Sequence, residues 1–359
     1  MAHAQITIDQ EGWRALLALL DEGSPSLEPH SRAISLQLQG RIEEAKAEYE
    51  KHLAADSENI YALNNLGYLL LHQGEAEAAL PLLRHAVEVE PGYLLAHNNL
   101  GNVYLTLGRV EEALAEYRQA VTLSESYAMP HRNLALVSYL MGRRQEAVEE
   151  YRTYFRLAPA GTEDADARFN LGVALEESGR VEEAIEEYER SIVDNPQMSK
   201  AHNNLGLIYL TRGELERAAA YFEQALKADE AWTLARYNLG LCYAAQGEYG
   251  KAIAEFERVR AIEPGHLQAT SNLGVMYTMT ERFDDAIEVF EELLAHHEGQ
   301  ATLHFNLGVA YQAKALYREA ATQFQRVIEL EPPGSQRALR AEQELQAIPS
   351  EAALNTTIM

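Results

Sequence analysis

Eight asparagines recur at one step along the chain: Asn65, Asn99, Asn133, Asn170, Asn204, Asn238, Asn272 and Asn306. The step is 34 residues, and once 37, between Asn133 and Asn170. Asn is a mediocre helix former, so a column of it asks for another reason. A primary amide carries one acceptor oxygen and two N–H donors. A row of amides can therefore grip the N–H and C=O groups of a peptide without reading its side chains. The competing use is local bonding to nearby helix backbone. Asn64, Asn98 and Asn203 double the amide in three copies. Four histidines, His97, His131, His202 and His304, share another repeated position and raise the question of metal ligation.

The elements that must position these residues follow from the same period. Ala45, Ala79, Ala113, Ala147, Ala184, Ala218, Ala252, Ala286 and Ala320 keep the step, again with one interval of 37. Four residues after each Ala stands a ring (Tyr49, Tyr117, Tyr151, Tyr188, Phe222, Phe256, Phe290, Phe324) or, once, Leu83. That spacing puts both on one helix face. Five residues before most of these Ala stands a Gly, which suits a left-handed residue between two helices. Pro91, Pro159, Pro196, Pro264 and Pro332 follow the second helix. The unit is helix, tight turn, helix, loop. The extra three residues fall most simply at Thr162, Glu163 and Asp164.

The pattern of Leu-Gly, Tyr, Gly, Ala, aromatic and Pro, seen at Leu100, Gly101, Tyr104, Gly108, Ala113, Tyr117 and Ala120, resembles the tetratricopeptide repeat. The resemblance covers about residues 26–334 in nine copies, the first worn: Arg32 and Ala33 replace its Leu-Gly. It implies an all-α, right-handed α-solenoid with capping helices. The expected domains are a capping helix within 1–25, the array over 26–334, and a capping helix with tail over 335–359. Trp13, Leu16, Leu17 and Leu20 form one stripe of the first cap; Ala338, Ala341, Leu345 and Ile348 form the inward side of the last. Glu281 and Ala315 stand where other copies have the turn glycine, at about 1 kcal/mol each if the left-handed turn persists.

In this family the asparagine position lies on the first helix, toward the concave groove. The column resembles the asparagine ladder in the repeat region of O-linked N-acetylglucosamine transferases, which grips peptide backbone. No transferase domain follows here, so only the grip carries over. Around the column, Tyr61, Tyr68, Tyr139, Phe169, Tyr237 and Phe305 add aromatic faces, and Leu207, Leu241, Val275 and Val309 aliphatic ones. Charges are few: Arg132, Lys200, Asp166, Glu176 and Glu177. The expected site is a peptide-binding groove made by the eight column asparagines with Asn64, Asn98, Asn203, Tyr68, Phe169, Tyr237 and Phe305. The expected ligand is a protein or peptide, neutral to basic and partly apolar.

The resemblance also makes the histidines packing residues, since a large ring fills their position. Physical spacing agrees. Successive helix layers lie about 8–10 Å apart, whereas zinc needs ring nitrogens about 2.0–2.1 Å from one ion. No metal, cofactor, phosphate loop or nucleophile motif is expected, and the chain does not read as an enzyme. The net charge of −25 disfavours nucleic acid and anionic membrane partners. The single Cys242 and the short apolar run at 15–20, preceded by Asp9 and Glu11, point to a cytoplasmic protein without a secretory signal. Two other roles stay open: a solenoid that self-associates, and a subunit presenting substrate to a separate transferase.

Overall fold

The computed structural model describes residues 28–349. The cap read at residues 7–21 and the tail at 350–359 lie outside them. Among the described residues there are nineteen α-helices and no strand. The chain divides into two compact units, one up to Glu187 and one from Tyr188.

The first unit opens with α1 (Glu28–Leu38) and α2 (Ile42–Ala55). It continues through α3 (Ile60–His72), α4 (Ala76–Val89), α5 (Leu94–Thr106), α6 (Val110–Leu123), α7 (Ala128–Leu140), α8 (Arg144–Leu157) and α9 (Ala165–Glu177). The division falls within α10 (Val181–Asp194). The second unit holds α11 (Ser199–Thr211), α12 (Leu215–Ala228), α13 (Thr233–Ala245), α14 (Tyr249–Ile262), α15 (Leu267–Met279), α16 (Phe283–His296), α17 (Ala301–Ala313), α18 (Tyr317–Leu330) and α19 (Gln336–Ala347). Within each unit the helices pack mainly on their neighbours in sequence. Each unit is thus a stack of helical hairpins, the arrangement of an α-solenoid.

Helix α12 shows why the chain folds this way. Its sequence LERAAAYFEQALKA is rich in Ala, Leu, Glu, Gln and Lys, all good helix formers. Ala218, Ala219, Phe222, Ala225 and Leu226 make one buried stripe. Burying a ring like Phe222, which has no exposed surface, contributes about 1.5–3 kcal/mol. The preceding turn is closed by Gly213 at φ +75°. Glu214 N–H bonds Tyr209 O at 2.9 Å across it, which satisfies a carbonyl that α11 leaves open. The same left-handed turn persists without glycine at Glu281 (φ +59°) and Ala315 (φ +61°).

First and second helices meet where a ring lies on a glycine. A Cβ added to Gly101 would stand 2.6 Å from Cε1 of Tyr117, and one added to Gly206 2.6 Å from Cε1 of Phe222. At the far end of the second unit, Ala338 and Ala341 of α19 are buried, as is Ile348, and Leu345 packs against the core cluster of Phe324 and Val327.

Candidate functional site

The odd-numbered helices from α3 onward carry the amides, and the structure joins many of them into ladders. In the first unit, Asn99 Nδ2 donates to Asn64 Oδ1 at 2.9 Å. Asn133 Nδ2 donates to Asn98 Oδ1 at 3.0 Å and to Asn102 Oδ1 at 3.2 Å. Asn64 donates to Asn65 within its own repeat at 3.0 Å. In the second unit Asn238 donates to Asn203 at 3.1 Å, and Asn272 donates to the Tyr237 hydroxyl at 3.2 Å. Between these repeats the donor is a column asparagine and, apart from the Asn133–Asn102 bond, the acceptor lies 35 residues earlier, one position before the previous column residue.

In one repeat the partner is instead the tyrosine ring of the preceding even-numbered helix. Asn204 donates to the Tyr188 hydroxyl at 3.1 Å. Tyr49 donates elsewhere, to Gln37 Oε1 at 3.2 Å. Tyr117 instead donates to Asn102 at 2.7 Å. Burial raises the phenol pKa of Tyr49, Tyr117 and Tyr151, so the rings stay neutral donors.

Exposure sorts the predicted site. Asn64, Asn65, Asn98, Asn99, Asn133, Asn203 and Asn238 are buried, each at most 7% exposed. Tyr68 is buried too, its ring 4.2 Å from that of His72. Asn170, Asn204, Asn272 and Asn306 are half-buried, as are Phe169, Tyr237 and Phe305. Leu207, Leu241, Val275 and Val309 are likewise half-buried along the second unit. Leu234 on α13 and Met279 at the end of α15 expose 48% and 54% of their surface.

Arg132 is not a groove charge. It is bound to Asp164, with Nε to Oδ2 at 2.6 Å and a second bond at 3.3 Å, and its side chain is 12% exposed. Asp164 belongs to the three-residue insertion. It also caps α9, accepting from Ala167 N at 2.9 Å, and accepts from the Tyr154 hydroxyl at 2.9 Å. Burial opposes its ionisation, but these donors and the Arg132 charge hold its carboxyl below the ordinary carboxylate pKa. Sequence reading missed this pair and also Asn102. The signal was there: Arg132 is the one charge in a column otherwise of amides, aromatics and Ser271, and Asn102 the one amide in a column otherwise of Tyr68 and aliphatics.

The histidine column is a set of rivets. His97 bonds Glu116 Oε2 at 2.6 Å and Pro91 O at 3.0 Å. His131 bonds Glu150 and Glu125 O in the same way. His304 bonds Gln323 and Glu298 O. Arg236 fills the position with the same two contacts, to Glu255 at 2.7 Å and Glu230 O at 2.7 Å. His202 reaches Pro196 O at 3.1 Å; burial lowers its pKa. Each side chain ties its helix to the second helix, to the preceding loop, or to both. Among the described residues no three His, Cys, Asp or Glu side chains gather where one ion could be held. Cys242 is buried, its thiol donating to Leu215 O at 3.1 Å, and burial raises its pKa. No helix of the described residues is long and apolar enough to cross a membrane.

Comparison with known proteins agrees with this architecture. A profile described as tetratricopeptide repeat matches residues 133–199, 188–233, 203–266 and 279–335, more than half of the chain. A second profile of the same description matches 58–126. No curated protein matches the sequence. Among solved structures, the C-terminal part of a TPR repeat-containing protein from Cytophaga hutchinsonii superposes with a TM-score of 0.57 at 17% identity. That match covers 67% of this chain and 97% of that one. Pseudomonas aeruginosa PilF gives 0.50 at 23% identity, over 62% of this chain and 97% of its own. PilW, a type IV pilus biogenesis factor, gives 0.51 at 19%, over 58% and 95%. At such identities the likeness is one of fold. With its period, glycine–ring contacts and matched profiles, the chain belongs to the tetratricopeptide repeat family.

Proposed function

We propose that this protein is a non-catalytic scaffold that takes an extended, uncharged and partly apolar peptide segment of a partner protein along its odd-numbered helices. One observation carries the reading: in the second unit Leu207, Tyr237, Leu241, Val275, Phe305 and Val309 are all half-exposed beside amides. Apolar side chains left partly open in a regular row are the usual lining of a binding groove. The half-buried asparagines of the second unit, Asn204, Asn272 and Asn306, offer backbone hydrogen bonds, while the buried ones hold the register. An extended chain rises about 3.3 Å per residue, so repeats about 8–10 Å apart would meet roughly every third ligand residue. Cytoplasm is the proposed compartment, with Cys242 a buried thiol rather than a disulfide partner.

The test is an immobilised array of random peptides probed with the full chain. Leu241→Asp places a charge in the row and is expected to abolish most captured signals. Gln224→Asp, on the exposed face of α12, should leave them unchanged. Equal capture by both variants and the parent would refute the groove.

A further inference from the structure

Helix α18 is the last even-numbered helix among the described residues, and only α19 follows it. The joint between them lacks a tie that earlier joints of the second unit have. The Tyr243 hydroxyl donates to Glu223 at 2.8 Å and the Tyr277 hydroxyl to Glu257 at 2.6 Å, each 20 residues earlier on an even-numbered helix. Tyr311 bonds Glu291 in the same way. The next step of that series falls on Leu345 and Gln325. Leucine has no donor, so this pair is not joined, and a cleft of about 660 Å³ stands open along α18, bordered by Ala321 and Leu345.

Four residues of the cleft, Arg318, Thr322, Gln325 and Glu329, are exposed and follow one another at steps of four, three and four. That spacing holds them on one helix face and is the seam spacing of paired helices. Arg318 opens the seam and is in no ion pair among the described residues. Glu329 closes it. Its Oε2 accepts from Arg326 at 3.0 Å, which leaves Oε1 for another donor. Residues 318 and 329 are 11 apart, about 16 Å along the helix axis. A second α18 turned end for end lays Glu329 on Arg318 and Arg318 on Glu329, with Thr322 against Gln325 between them. The seam is its own complement, as a two-fold contact requires. The matching face of α16 reads Asp284, Glu288, Glu291 and Ala295, which repels its own copy. A chain with a net charge of −25 repels another copy over most of its surface, so contact needs a place where opposite charges match.

From this pattern we infer that α18 is a homodimer interface. A second copy of this chain lies antiparallel on it, with reciprocal Arg318–Glu329 ion pairs at the two ends of the seam. Ala321 lets the two helices approach, and Leu345 is covered as the cleft closes. The contact is short, so the dimer is a weak one, forming at about 10–100 µM. The inference goes beyond the groove reading and does not depend on it. Leu207, Leu241, Val275 and Val309 lie on other helices, so each copy keeps its own row.

The experiment is sedimentation equilibrium of the full chain from about 5 to about 500 µM, a range that brackets the expected affinity. The parent should move from one chain mass toward two. Arg318→Glu and Glu329→Arg, each alone, put like charges at both contacts and should weaken dimerisation about tenfold or more. Mixed in equal amounts, the two variants should pair again, because each then meets opposite charges on the other. Both positions are exposed, so circular dichroism spectra matching the parent are expected. A parent that stays at one chain mass at the highest concentration overturns the inference and leaves the cleft to residues 350–359 or to a different protein. A dimer that neither substitution weakens overturns it too, as does a mixture that stays monomeric. None of these results bears on peptide capture by the groove.

Discussion

Two helical glycines measure how closely single residues are specified. Gly101 carries the ring of Tyr117, whose nearest carbon would be 2.6 Å from an added methyl. Gly250, near the start of α14, has nothing within 4 Å of that point. Gly101→Ala is therefore expected to cost about 1–3 kcal/mol, because a buried ring and two helices must move apart. Gly250→Ala should be neutral or stabilising by up to about 1 kcal/mol, since a helix interior favours alanine over glycine. Urea unfolding midpoints of the two variants check this; a similar response from both would mean that the ring contact is soft.

Among the elements, the His97 rivet makes a pH-sensitive joint. Burial pulls the His97 pKa down, but its bonds to Glu116 and Pro91 O and the Glu116 charge outweigh that and leave it raised. A group whose pKa is raised on folding stabilises fully below its unfolded value, about 6.5. That stabilisation is lost as pH rises through the folded value. The stability difference between the parent and Glu116→Gln should thus be largest in mild acid and shrink above neutrality, read from denaturation midpoints across pH. A difference that grows with pH would reverse the assignment. The helices themselves were legible from sequence, since Gly213, Ala218 and Phe222 mark a turn, a close crossing and a core ring at fixed offsets. The fate of each amide was less so. Whether Asn238 is bonded and Asn306 open depends on what stands 35 residues earlier and on the preceding ring, a rule visible only once the helices are stacked. Arg132 read as a groove charge because its partner lies 32 residues away, inside the insertion that shifts the register.

For the whole molecule the dominant fact is charge: 55 acidic against 30 basic side chains. Exposed pairs such as Arg41–Glu44 and Arg109–Glu112 offset some of this locally, yet exposed pairs contribute only about 0–1 kcal/mol each. The excess repels itself, and salt screens that repulsion beyond about 10 Å at 0.1 M. The melting midpoint should therefore rise with added sodium chloride, while binding of an uncharged peptide in the groove should change little. A midpoint that falls with salt would mean that the ion pairs outweigh the self-repulsion.

The Arg132–Asp164 contact also constrains how this chain can have descended. Three residues of extra loop deliver the carboxylate that neutralises a guanidinium almost closed off from water. Excising that loop to restore a uniform 34-residue step would strand the charge, at about 3–5 kcal/mol. Arginine and insertion must then be inherited or lost as a pair, and a descendant that sheds the loop would need an uncharged side chain at position 132, where an asparagine would offer Asn170 the kind of acceptor that Asn98 gives Asn133.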